Sequence, residues 1–185
     1  MDRESRFRAL FERAYPALFR YAYRRGASQA DAEDLVAASL EVAWRRIDDV
    51  PIDDAMPWLY AVARNMLRNQ RRGQRRRDAY TAPLGLDLVD NRISQPGDLE
   101  SLALRNALGR LREGDQELLR LIAWEGLSPA EAAVVIGCSP SAARTRLHRA
   151  RARLAEQIEK DDVQRQGSAG HVSGRRTIAL EATDE

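Results

Sequence analysis

From Ser139 to Ala155 the sequence carries Arg144, Arg146, His148, Arg149, Arg151 and Arg153 with no acidic residue among them. Such a segment, if helical, presents positive charge alone, and phosphate is the partner that chemistry fits. The residues before it describe how it is entered. Ser128-Pro129-Ala130-Glu131 has the form of a capping box, with a serine N-cap, proline at the first helical position and glutamate three residues on. Gly137 breaks the short apolar run Val134-Val135-Ile136, and Ser139-Pro140 caps a second helix almost at once. Small Ala132 and Ala133 would let two helices cross closely, as a helix-turn-helix requires. A basic helix entered through a tight turn suits the major groove. Arg144, Arg146, His148, Arg149, Arg151 and Arg153 therefore mark this segment as a DNA-reading element. A solvated arginine-rich helix in an ordinary bundle is the competing reading, and the caps and turn together weigh against it.

Two further faces carry polar chemistry. Trp58, Leu59, Val62, Ala63, Met66 and Leu67 form one stripe of a helix opened by Pro57, while Arg64, Asn65, Arg68 and Asn69 occupy its other side in i, i+4 register. Arginines and asparagines on one face can hold phosphates and hydrogen-bond base edges. Trp58 falls on the apolar stripe and reads as core. A second helix, capped by Ser28, carries Asp31, Glu33, Asp34 and Glu41 opposite the stripe Ala32, Leu35, Val36, Leu40, Ala43 and Ile47. Acids in a first turn also suit the helix dipole, which explains Asp31 and Asp34 about as well as a partner does.

The net charge of the 185 residues is only +2, but the charges are segregated. Gln29 to Asp54 holds eight acidic residues against Arg45 and Arg46, whereas Arg71 to Arg77 reads RRGQRRR. Acidic and basic surfaces imply different partners for different parts of the chain. Cys138 is the sole cysteine, which excludes an intramolecular disulfide and a cysteine-based zinc site and reads as a small buried apolar residue. His148 sits among arginines and His171 near the end, neither beside a nucleophile or a metal partner. No nucleotide-binding or hydrolase motif is present. The chain is expected to have no catalytic residue, no metal site and no cofactor, hence no enzymatic activity. No apolar run approaches the ~20 residues that span a membrane, and the first residues lack the apolar core of a signal peptide, so no membrane insertion and a cytoplasmic location are expected.

In chain order the periodicity predicts an all-α protein of two small helical domains joined by a flexible linker. Phe7, Leu10, Phe11, Ala14, Leu18 and Ala22 recur at helical spacing, with Pro16 expected to kink or divide that helix. This helix and the two above make a three-helix domain, residues 1–77. Residues 78–97 hold prolines and glycines without sustained period and read as the linker. Asp98 to Arg112 and Gln116 to Trp124 are predicted helices that join the helix-turn-helix, about 128–148, in a four-helix domain over 98–160. Residues 161–185 are polar and glycine-rich and read as a disordered tail.

Asp31-Ala-Glu-Asp-Leu-Val36 through Ala43-Trp44, followed by Pro57-Trp-Leu-Tyr-Ala-Val-Ala-Arg-Asn65, closely resembles region two of bacterial extracytoplasmic-function (ECF) RNA polymerase sigma factors. Gly126-Leu-Ser-Pro-Ala-Glu131 through Arg144-Thr-Arg-Leu-His-Arg-Ala-Arg151 resembles their region four. The resemblance covers nearly everything except linker and tail. It implies that Asp31, Glu33, Asp34, Leu35 and Glu41 dock on the beta-prime clamp helices of core RNA polymerase, the beta flap being the second contact. Ala37, Ala38 and Leu40 depart from the family pattern, which commonly has glutamine, glutamate and phenylalanine there. The loop Asp48 to Met56 with Arg64, Asn65, Arg68 and Asn69 would hold the promoter's −10 element, whose flipped base costs only a few kcal/mol to extrude. Ser141, Arg144, Thr145, Arg146, His148 and Arg149 would meet the −35 element. Family members are often held inactive by an anti-sigma factor, which the resemblance adds to core polymerase and promoter DNA as a partner.

The main expectation is thus an alternative sigma factor directing promoter-specific initiation by −35 and −10 recognition and melting. The alternative is a free-standing helix-turn-helix regulator with an N-terminal sensing or dimerisation domain, which would bind palindromic duplex on its own.

Overall fold

The computed structural model describes residues 2–51, 55–81 and 99–173. Every regular element among them is helical: α1 Arg3–Tyr23, α2 Gln29–Arg45, α3 Ala55–Thr81, α4 Leu99–Gly109, α5 Glu113–Ala123, α6 Pro129–Ile136 and α7 Pro140–Ser173. They fall into two compact units, one of residues 1–95 with 120–144, the other of residues 96–119 with 145–185. Residues 82–97 of the expected linker, 78–97, and the end of the expected tail, 174–185, lie outside the described residues.

In the first unit, Asp2 caps α1 by accepting from the Ser5 amide at 2.8 Å, and Ser28 caps α2 by accepting from Asp31 at 3.1 Å. Leu10, Ala14, Leu18, Tyr21 and Ala22 of α1 meet Ala32, Leu35, Val36, Leu40 and Ala43 of α2 and Leu59, Tyr60, Ala63 and Leu67 of α3 in one buried core. The Tyr21 and Tyr60 rings lie 5.1 Å apart, and buried Ser39 reaches the Met66 sulfur. α6 packs on α3 within the same unit and contributes buried Ala132, Ala133 and Val135.

α1 is a single helix with Pro16 inside it, not two pieces. The proline denies a donor to the carbonyl of Glu12, but both residues are exposed, so solvent can satisfy that oxygen while the flanking apolar residues hold the helix to the core.

The second unit buries Ala103, Ala107, Leu108, Leu111, Leu118, Leu147 and Ala150. Gln116 donates to the Gly109 and Leu111 carbonyls at 3.1 and 2.8 Å, closing the end of α4. α7 does not stop at Lys160, and residues 161–173 of the expected tail continue it. The physical reason lies in Asp161, which is buried and paired with Arg110, so the helix is still attached to its unit at that point. α3 likewise runs through Thr81, past the expected start of the linker.

Candidate nucleic-acid interface

The entry to α7 is built by local hydrogen bonds. Ser128 accepts from the Glu131 amide at 3.2 Å, and Glu131 accepts from the Ser128 amide at 2.7 Å, so the capping box is complete. These bonds to Ser128 hold the Glu131 carboxyl below its usual range. Gly137 closes α6 in the left-handed region, φ 71°, and the Gly137 and Cys138 amides both donate to the Ala133 carbonyl. Ser139 then accepts from Ala142 at 3.2 Å and lies 3.1 Å from the Ser141 hydroxyl.

Along α7, Ala143, Leu147 and Ala150 are buried, which fixes the helix's rotation. Ser141, Arg144, Thr145, Arg146, His148 and Arg149 are all exposed. Arg153, further along, is instead tied to Asp115 at 2.6 Å. The exposed surface therefore consists of arginines, one histidine and two hydroxyls, able to meet phosphates and guanine edges together.

On α3, buried Leu59, Ala63 and Leu67 turn Asn65, Arg68 and Asn69 outward, with Arg64 half-buried beside them and Trp58 half-buried on the other flank. Farther along, Arg71 donates to the Arg25 carbonyl at 2.7 Å, while Arg72, Arg76 and Arg77 are exposed. Residues 52–54 of the loop expected to hold a flipped base lie outside the described residues, and the helix already begins at Ala55.

On α2, Asp31, Glu33, Asp34 and Glu41 are exposed. Asp31 accepts from the Ser28 hydroxyl at 2.6 Å, Glu33 from Gln29 at 2.9 Å, and Glu41 pairs with Arg45 at 3.0 Å. Leu35 differs from these four. It is 1% exposed and belongs to the core, so it supports the acidic face without being able to touch a partner.

Sequence patterns missed one polar cluster. Arg25 donates to Glu125 at 2.9 Å, with side chains 2% and 3% exposed, and its guanidinium lies 3.5 Å from the Tyr21 ring centroid. Arg24 donates to the Trp124 carbonyl at 2.9 Å. Burial pushes the nearby Tyr60 hydroxyl up to about 12, with the Glu125 charge adding to the shift. Arg24-Arg25-Gly26 read locally as a helix end, and a pairing across a hundred residues leaves no local signal.

Among the described residues no group of His, Cys, Asp and Glu is placed to hold a metal ion, and no helix is long and apolar enough to cross a membrane.

Residues 10–77 match the family model of sigma-70 region 2, and residues 101–154 match that of sigma-70 region 4. The chain is 30% identical over 165 residues to the RNA polymerase sigma factor NccH of Alcaligenes xylosoxydans xylosoxydans, covering 85% of this chain and 89% of that protein. It is 32% identical over 146 residues to the ECF RNA polymerase sigma factor SigL of Mycobacterium tuberculosis, covering 76% and 82% respectively. Among solved structures, the sigma factor RpoE in complex with the anti-sigma factor NepR from Bartonella quintana matches with TM-score 0.65 and 28% identity, over 83% of this chain and 96% of that one. Both promoter-recognising regions, in family order, support the sigma reading over a free-standing regulator. The chain belongs to the sigma-70 family and is an ECF RNA polymerase sigma factor, directing promoter-specific initiation through its regions two and four.

Proposed function

We propose that Asp31, Glu33, Asp34 and Glu41 dock this sigma factor on the beta-prime clamp helices of core RNA polymerase, with region four on the beta flap. Arg64, Asn65, Arg68 and Asn69 hold the −10 element, and Ser141, Arg144, Thr145, Arg146, His148 and Arg149 meet the −35 element. The functional domains are residues 1–77 and 98–160, joined by 78–97. The chain needs no cofactor, catalyses nothing itself and works in the cytoplasm, where an anti-sigma factor is its antagonist, as NepR is the partner of the Bartonella quintana protein.

The observation that supports this assignment best is the opposite chemistry of two exposed helix faces, carboxylates along α2 and arginines along α7. Core polymerase and DNA are different surfaces, and each face suits one of them. Run-off transcription with purified core polymerase tests it, using Asn65→Ala and Arg149→Ala to address the two promoter elements separately. A variant set that transcribes like the parent would remove these residues from their roles.

A further inference from the structure

Phe7, Phe11, Tyr15, Phe19 and Tyr23 follow one another along α1 at strict i, i+4 spacing. Residues so spaced form a row on the helix surface, each step rising about 6 Å. The row is not the core face, which α1 supplies from Leu10, Ala14, Leu18, Tyr21 and Ala22. Phe11 and Tyr15 are 42% and 39% exposed. Phe7 is half-buried and meets the Trp44 ring edge-on at 5.1 Å, and Trp44 is itself 39% exposed. Contiguous rings left in water mark an interaction surface.

Their neighbours say what that surface suits. Arg3 donates to the Trp44 carbonyl at 2.8 Å, and its guanidinium lies 4.9 Å from the centre of the Trp44 ring. α1 exposes Arg3, Arg8, Arg13 and Arg20 against Glu4 and Glu12, and Arg8 neutralises Glu4 at 3.2 Å. No leucine, isoleucine or valine of α1 is exposed, so its outer surface combines rings with positive charge. Aromatic faces beside arginines hold single-stranded nucleic acid with little regard to sequence. The spacing favours a single strand over a duplex. Ring centres lie 6.2 Å apart from Phe7 to Phe11 and 5.6 Å from Phe11 to Tyr15. Bases in a duplex strand repeat at about 3.4 Å, and only an unpaired strand can stretch to the wider step. The row also begins at a suitable place. Trp44 stands at the end of α2, and Arg6 donates to the Ile47 carbonyl at 3.1 Å, where the chain leaves for the loop read as the holder of a flipped base.

We propose that Phe7, Phe11, Tyr15 and Trp44, with Arg3, form a stacking platform for the unpaired bases of the promoter strand that flank the −10 element. Bases stacked there are withheld from re-pairing, so the platform favours the melted state. Which bases arrive rests on the −10 reading above, whereas the platform itself is tolerant of sequence.

The test uses holoenzyme assembled from core polymerase and the full chain. The probe is a fluorescein-labelled single strand with the non-template sequence of the DNA upstream of the gene, and its anisotropy is compared with that on core polymerase alone. The double variant Phe11→Leu/Tyr15→Leu keeps apolar surface and removes the rings. It is expected to weaken strand binding at least about 5-fold, the low end for one lost stack, while Phe11→Tyr binds like the parent. Abasic sites introduced beside the −10 element should weaken binding to the parent but not further weaken binding to the leucine variant, because both remove one contact. Far-UV circular dichroism and competition for core polymerase are expected to be unchanged. If the double variant loses helix, the single leucine variants and Arg3→Gln decide, each with weaker strand binding expected. Unchanged strand binding overturns the platform, as does an abasic penalty equal in parent and variant. A parent holoenzyme that holds the strand no better than core alone also overturns it. Loss of core binding in the leucine variant overturns it in favour of a protein-docking face. Asn65→Ala separates the two readings: if it binds like the parent while the leucine variant is weakened, the −10 assignment fails and the platform stands.

Discussion

Arg25 and Glu125 stand a hundred residues apart in the chain and 2.9 Å apart in the fold, both side chains nearly closed to solvent. The pair joins the end of α1 to the turn that precedes the helix-turn-helix, and Tyr60 of α3 feels its carboxylate.

Tyr60 gives this region a pH signature. Its hydroxyl is raised to about 12, first by burial and then by Glu125, against about 10 in an unfolded chain. The neutral form is the one the fold favours, so stability is intact below pH 10 and falls as pH rises from 10 toward 12. Spectrophotometric titration of the tyrosines should show a late component that Tyr60→Phe removes and Glu125→Gln moves to lower pH. A titration with no late component would contradict this environment.

The capping box should matter to both stability and pH response. Ser128→Ala removes an acceptor at the N-cap and is expected to cost about 1 kcal/mol in denaturant unfolding. Glu131 is held below its usual range by Ser128, so its contribution is present at neutral pH and lost as pH falls through its folded value. The Ser128→Ala variant should lose part of that acid dependence.

Gly137 should tolerate substitution poorly for reasons of backbone alone. A Cβ built there meets nothing within 4 Å, but φ is 71°. Gly137→Ala is expected to cost about 1–2 kcal/mol, measured by thermal or urea unfolding. A neutral result would mean that the turn relaxes to another conformation.

Leu35 and Asp34 are sequence neighbours with different prospects. Leu35→Ala should cost about 2–5 kcal/mol of stability because it empties a core position. Asp34→Ala should leave unfolding nearly unchanged and weaken binding to core polymerase, as read by competition for the core enzyme.

The contrast between these two residues shows what was legible in the sequence. Helical periodicity placed the α2 and α3 stripes, and local cap chemistry placed the helix-turn-helix, because both depend on residues within a few positions. The outward Asn65 followed from the α3 stripe, whereas Arg149 was legible only as part of an all-basic segment. The family resemblance puts Leu35 among the docking residues, whereas its own position on the apolar stripe points inward, where the fold has it. Proline removes a hydrogen bond, so Pro16 reads as a kink or a division of α1; the helix is not divided, because packing on both sides outweighs that cost. The continuation of α7 past Lys160 depends on Asp161 meeting Arg110, and the Arg25–Glu125 pair on a meeting across the chain. Contacts of that range are set by the fold, and no local pattern carries them.

The most direct test of the account is run-off transcription from the DNA upstream of the gene, with core RNA polymerase in the presence and absence of this protein. A start site that depends on the protein is predicted, weakened by Arg149→Ala by roughly 5- to 150-fold, equivalent to the 1–3 kcal/mol of one bidentate base contact. No protein-dependent transcript, together with sequence-specific duplex binding by the protein alone, would contradict the account.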